Sequence, residues 1–151
     1  MTSSVTGAKL MTFTVAVGEP ISIGEVAGQV RRYIPLGSGT VEGDYCGTIV
    51  PGGMDWQTIG PGGRLEIAAR YVLDLEQGRV EVRSEGMRAG SPDVLARIAA
   101  GEIVPSHEYY FRTAMRFFTA SLALAQLNDL IAIAIGERFP DHVKLDVYPV
   151  L

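Results

Sequence analysis

The stretch PLGSGTVEGDYCGTIVPGGMDW, residues 35–56, decides the fold. Glycine recurs every few residues, and between the glycines Thr40-Val41 and Tyr45 to Val50 supply short β-forming runs. Glycine at this density within strands marks bulges, sharp bends or close backbone approach, the devices with which a sheet turns a barrel corner. The same grammar extends outward on both sides. Leu10 to Val17 alternates apolar with small or polar residues and closes at Gly18-Glu19-Pro20, and Val26 to Ile34 repeats the pattern. There Arg31 and Arg32 are adjacent, so one points inward and the other outward on a pleated strand. Downstream, Pro61-Gly62-Gly63 leads into Leu65 to Leu75, and Glu76-Gln77-Gly78 leads back along Arg79 to Met87 as a hairpin.

Residues 92–101, PDVLARIAAG, break the strand pattern. Asp93 can cap a start, Val94, Leu95 and Ile98 share a helical face, and Gly101 can end it, which predicts one short helix. Strands resume from Tyr109 towards Phe118. Over Leu122 to Ile135 the composition first favours helix, but IAIAI has a period of two, so a strand is expected over Asn128 to Ile135. Val143 to Val150 is the last alternating strand. The expected fold class is therefore all-β and mainly antiparallel, about 8–10 strands with one short helix. Such strands can form a sandwich or a barrel, and the glycine bends favour a closed barrel, which at this size can enclose one small ligand. Residues 10–151 form the single domain, and residues 1–9 are a flexible lead-in without the features of a signal peptide.

With 151 residues and a formal net charge of −4, the chain can bury a core without disulfide or metal staples and does not attract phosphate backbones or anionic lipid. Its positive charge is almost all arginine, a side chain suited to planar recognition of carboxylates, although genomic base composition produces the same bias. The lone Cys46 allows no intrachain disulfide and no redox pair, which points to a reducing, cytoplasmic address. The apolar run Leu130 to Ile135 is too short to span a bilayer.

Several motifs occur together and in order: PGGMDW at 51–56, AARY at 68–71, VLARIAAGE at 94–102, EYYFR at 108–112, and Val147-Tyr148 in the last strand. With this set, nearly the whole chain resembles the domain-of-unknown-function family 3237, an uncharacterised UPF group. The resemblance implies a small calycin-like or cyclase-like β-barrel, often dimeric, whose interior offers a pocket. Its better-understood members act on aromatic small molecules as lyases or decarboxylases without a cofactor. The chain departs from the family pattern where an aspartate usually stands, at Ala68, and where a glutamate usually follows the paired aromatics, at Thr119. These departures suggest a cavity less charged than that of its relatives.

Asp55 follows a Gly-Gly bend and precedes the only tryptophan, Trp56. A carboxylate against an apolar wall can act as a general acid or base near neutral pH, whereas a structural aspartate would accept hydrogen bonds from loop amides. Tyr110 and Arg112 share a strand face; pointing inward, they would form a polar ledge for a carboxylate or phenolate. Arg70 and Arg88 also lie in strands, and Tyr71 lies on the face opposite Arg70, so at most one of that pair is inside. Each arginine could instead reach outward to a surface ion pair. The expected catalytic set is Asp55, Arg112 and Tyr110, with Trp56, Tyr71, Arg70 and Arg88 as substrate contacts. His107 and His142 are distant and show no ligand spacing, so no metal is expected. No phosphate loop or nucleophile elbow is present, and no cofactor is expected. The expected partner is a small molecule, with no nucleic acid or membrane, in a homodimer. The activity these features favour is a cofactor-independent lyase, isomerase or cyclase acting on an aromatic or polyketide-like molecule. The alternatives are a noncatalytic carrier or sensor, and a structural subunit whose interior is filled by apolar side chains.

Overall fold

A computed structural model describes residues 4–151. Its strands are β1 (Met11–Val17), β2 (Ile21–Val26), β3 (Gln29–Gly43), β4 (Gly47–Ile59), β5 (Leu65–Leu75), β6 (Gly78–Ala89), β7 (Tyr110–Phe118), β8 (Ile131–Arg138) and β9 (His142–Pro149). All neighbours are antiparallel, in the order β1-β9-β8-β7-β6-β5-β4-β3, and β3 pairs back onto β1. Eight strands thus close a barrel. β2 is the ninth; after the Gly18-Glu19-Pro20 break it continues along β3, pairing with Gln29 to Tyr33, while β1 takes Leu36 to Gly43.

The glycines shape this closure where they were expected to. β4 advances four residues from Val50 to Met54 while β5 advances two from Val72 to Arg70, so the Pro51-Gly52-Gly53 segment is a bulge that absorbs two extra residues. Gly52 sits at φ +114°, and a Cβ on Gly53 would meet the Tyr71 Cβ at 2.5 Å. Only glycine lets β4 step across Tyr71 there.

Alternation then sorts the interior into two halves. At one end, Met11, Ile49, Leu73, Val80, Met115, Phe117 and Val147 point inward and are buried. A 3-10 segment over Leu122–Asp129 closes that end with Leu124 and Leu127, both fully buried. Its end is pinned by Asn128, whose Oδ1 accepts from the Thr119 amide at 2.8 Å and whose Nδ2 donates to the Thr119 carbonyl at 3.1 Å. The strand expected from Asn128 therefore begins only at Ile131, because Asn128 is committed to this clasp. At the opposite end the inward positions are Arg32 and Ile34 on β3, Asp55 and Gln57 on β4, Ile67 and Ala69 on β5, Ser84 and Arg88 on β6, Phe111 and Thr113 on β7, and Arg138 on β8.

The single α-helix, α1 (Pro92–Ala99), lies in the connection between β6 and β7, on the polar end. Ser91, not Asp93, caps it, its hydroxyl accepting from the Val94 amide at 3.2 Å, and Leu95 and Ile98 are its buried face. Two further 3-10 turns, Pro61–Gly63 and Ser106–Glu108, lie at this end. Of the lead-in, residues 1–3 lie outside the described residues; Thr6 bridges to Val150 and the Gly7 amide donates to the Pro149 carbonyl at 3.0 Å. Among the described residues no helix is long and apolar enough to cross a membrane.

The apolar plug carries a stability prediction. Leu124→Ala removes a fully buried side chain and is expected to cost about 3 kcal/mol. Leu122→Ala, 94% exposed two residues away, should change stability by no more than about 0.5 kcal/mol. Urea denaturation of the two variants beside the parent measures both.

Candidate functional site

The polar half of the barrel encloses a cavity of about 50 Å³, space for a few water-sized groups. It exists because several inward positions near it are small: Ala69, Ser84, Ala134 and Gly136. A Cβ on Gly136 would fall 2.6 Å from the Phe111 ring, so the glycine leaves room for Phe111 as one wall. Val15, Val17, Leu36 and Leu145 line the apolar side, and Asp55, Gln57, Tyr71, Ser84, Arg88, Thr113 and Arg138 the polar side.

The polar residues form a connected chain with loose ends. Arg32 donates from Nε to Gln57 Oε1 at 2.8 Å, and Gln57 donates from Nε2 to Asp55 Oδ2 at 2.7 Å. Ser84 donates from its hydroxyl to Thr113 Oγ1 at 2.7 Å. Among the described residues three buried side-chain atoms have no partner: Asp55 Oδ1, the Tyr71 hydroxyl and Arg88 Nε. A buried polar atom without a partner costs about 1–3 kcal/mol, so their occurrence in one cavity marks a place that expects an occupant.

Electrostatics agree with the geometry. Burial raises the Asp55 carboxyl to about 6, against the opposing pull of the Gln57 hydrogen bond, the Ala68 amide and the charges of Arg88 and Arg32. The Tyr71 phenol is driven far up by burial and, secondarily, by the Asp55 charge, and stays protonated. Burial lowers Arg88 to about 10, helped by Arg138 and Arg32, so it remains a cation. Arg32 and Arg138 are also lowered, first by burial. Arg138 is held by backbone carbonyls, donating to those of Phe139 and His142, and its amide donates to the Tyr109 hydroxyl at 2.9 Å. The ion pairs of the described residues lie elsewhere, and none includes Arg32, Arg88 or Arg138.

Of the residues singled out from the sequence, Asp55, Tyr71 and Arg88 meet in the cavity; the other four do not. Phe111 and Thr113 take the inward positions of β7, which turns Tyr110 and Arg112 outward, where the Arg112 guanidinium lies 5.0 Å from the Tyr110 ring centroid. Asp55 and Gln57 take the inward positions of β4, so Trp56 packs outside against Tyr33, their ring centroids 4.8 Å apart. Tyr71 points in and Arg70 out, 3.6 Å from Glu81. The departures from the family pattern are also away from the cavity: Ala68 is exposed on the outer face, and Thr119 bonds the Arg79 carbonyl beyond the end of β7. The interior is therefore not depleted of charge, as those two positions suggested. Gln57, Ser84, Thr113 and Arg138 line the cavity and Arg32 stands behind Gln57; none of the five is expected at the site from the sequence. Strand parity could have found Gln57, two positions from Asp55, and the choice between Arg31 and Arg32 was already posed.

The chain matches a family described as protein of unknown function, DUF3237, over residues 6–150, and it belongs to that family. A UPF0311 protein of Bradyrhizobium diazoefficiens is 34% identical over 152 residues, covering all of both chains. The crystal structure of a conserved protein of unknown function from Rhodopseudomonas palustris superposes with a TM-score of 0.94 at 32% identity, covering 99% of this chain and 100% of that one. A structure described as an enzyme from Penicillium herquei shares the fold, with a TM-score of 0.68 at 16% identity over 97% of this chain and 98% of its own.

The raised Asp55 carboxyl predicts a pH signature in stability. With the folded value near 6 and the ordinary value near 3.8, the folded state binds the extra proton between them, so stability from this group is present below about pH 4 and is lost as the pH rises through about 6. Two units correspond to about 3 kcal/mol. Denaturation of the parent and Asp55→Asn from pH 4 to 8 should show the parent losing ground to the variant across that window; a constant difference would place the Asp55 carboxyl at its ordinary value.

Proposed function

We propose that this barrel is a cofactor-independent acid–base enzyme, a lyase or isomerase, that takes a small carbonyl compound into its polar end and moves a proton with Asp55. The reading is carried by one observation: a carboxyl raised to about 6, with a free Oδ1, shares a cavity with an unpartnered phenol and an unpartnered guanidinium. A carboxylate with this value is mostly ionised at pH 7 yet basic enough to accept a proton from carbon. The Gln57 amide, itself fixed by Arg32, holds Oδ2 and leaves Oδ1 for the substrate.

The step is proton abstraction from a carbon next to a carbonyl. Asp55 Oδ1 takes the proton, the C–H electron pair moves into the carbonyl system, and the oxyanion that forms meets the Arg88 guanidinium and the Tyr71 hydroxyl. In a site shielded from water such donors stabilise developing charge far more than they would in bulk solvent. Asp55 then returns the proton to a different carbon for isomerisation, or a leaving group departs from the neighbouring carbon for a lyase. Apolar walls from Val15, Leu36 and Phe111 suit hydrocarbon beside the reacting carbonyl, and a volume of about 50 Å³ takes the reacting end of an aromatic or polyketide-like substrate, not its whole body. The shared fold of the Penicillium herquei protein, described as an enzyme, is compatible with catalysis on this scaffold.

Deuterium exchange tests this without a known product. Small aryl and alkyl ketones and oxo acids are incubated in D2O with the protein, and label at the carbon next to the carbonyl is followed by NMR. Exchange above buffer, falling below an inflection near pH 6 and reduced at least about 100-fold in Asp55→Asn, is the expected result. Equal exchange with parent and variant removes Asp55 from the mechanism. Binding without exchange by the parent assigns a carrier or sensor instead.

A further inference from the structure

We infer that the polar end of the barrel is a carboxylate-binding site, in which Arg88, supported by Arg32 and Arg138, receives the acid group of a small organic anion. The inference rests on the same cavity as the proposed reaction and names its substrate class: a carbonyl compound that also carries a carboxylate.

Charge balance is the first ground. Three guanidiniums converge on this end of the interior, and the only carboxylate among the residues lining the cavity is Asp55. Asp55 is already engaged through Oδ2 with Gln57, and Asp141, the acid nearest Arg138 in its influence, is exposed and bonded to His142 at 2.7 Å. A protein buries a cation only when something compensates it. Arg88 is 7% exposed, has an orphaned Nε, and finds only the face of Phe111, its guanidinium carbon 5.9 Å from that ring's centroid. Of the arginines away from the cavity, Arg64, Arg70, Arg79, Arg83 and Arg97 have carboxylate partners, and Arg31, Arg112 and Arg116, which do not, are not buried. Inside, Arg32 and Arg138 have only neutral acceptors and the buried Arg88 has none, so it is Arg88 that lacks what burial demands.

Shape and chemistry select a carboxylate. A guanidinium presents a planar fork that matches two coplanar oxygens, and Arg88 lies against Phe111 as a flat surface over which such a head group can sit. A volume of about 50 Å³ admits a head group of carboxylate size with a short hydrocarbon stub against the apolar lining of the same cavity. With Asp55 ionised, the three arginines and Asp55 carry a net charge of two positive, and a bound monoanion brings it to one.

The experiment uses sodium acetate and sodium benzoate as probes, acetamide and benzamide as their neutral counterparts, and sodium phosphate as the competing anion, at constant ionic strength with thermal unfolding as readout. Expected is a Tm rise of about 4 °C at ten times Kd with at least one carboxylate and none with its amide. Arg88→Met should weaken that carboxylate about 10-fold or more, and Arg138→Gln, which spares the buried core position, should weaken it in the same direction if the first variant does not fold. Arg70→Met on the outer surface should leave it unchanged. Stabilisation by phosphate and not by the carboxylates, or by neither, overturns the inference, as does equal carboxylate binding in Arg88→Met. Asp55→Asn separates this inference from the proposed reaction. Carboxylate binding retained in that variant, with no exchange chemistry in the parent, sinks the reaction alone; exchange chemistry without any carboxylate preference sinks the site assignment alone.

Discussion

Everything in this molecule depends on closure of the sheet between β1 and β3. Once β3 pairs back onto β1, every second residue of eight strands is committed to one interior, and an eight-stranded barrel is just wide enough for side chains to fill it. Space then arises only where those committed positions are small. At the end of Met11, Leu73, Phe117, Leu124 and Leu127 they are large, and the barrel is solid; at the end of Ala69, Ser84 and Gly136 they are small, and a cavity remains. The solid half makes the polar half affordable. Unpartnered groups at Arg88, Tyr71 and Asp55 would each weaken a marginal fold, and the tightly packed plug offsets them.

The electrostatic arrangement follows from that division. Asp55 could have been neutralised by a direct pair with an arginine, which would pull its carboxyl below the ordinary range. Instead Gln57 stands between Asp55 and Arg32. A neutral amide transmits position without supplying full charge, so burial prevails and the carboxyl stays high. The same spacing leaves the guanidiniums unspent. Positioning through a neutral relay is how one small cavity can hold a raised carboxyl beside cations that have no carboxylate partner.

How much of this was legible in the sequence differs from strand to strand. The hairpin of β5 and β6 was read almost to the residue, because alternation there is unambiguous: Leu65, Ile67, Tyr71, Leu73 and Leu75 share a face against charged neighbours. On β7 the pattern misled, since Tyr110 and Phe111 offer an aromatic at both parities and only packing chooses between them. On β4 both Asp55 and Trp56 were expected at the pocket, but neighbours on a strand face opposite ways; with Asp55 paired to Ala69 beyond the bulge at 51–53, Asp55 faces in and Trp56 out. Arg138 was hidden because it follows Ala132, Ala134 and Gly136, a run of small residues that reads as weak strand and is in fact the inward face of β8. Cross-strand partners, such as Ser84 on β6 with Thr113 on the neighbouring β7, follow from register, which sequence pattern alone does not fix.

The outward placement of Ala68 and Thr119 separates two things that the sequence had joined. Ala68 pairs across from Trp56 and opens onto an outer groove with Met54, Arg70, Arg83 and Glu85, on the far side of the barrel wall from Asp55. A neutral residue at position 68 therefore alters the charge of that groove and leaves the interior field to Asp55 and the three arginines. The acid that the family resemblance implies at that position would act on the outer surface beside Trp56. The cavity's carboxyl and its excess of positive charge are set by residues on β3, β4, β6 and β8, each with its own strand parity, so change on the outer face can proceed without altering the electrostatics within.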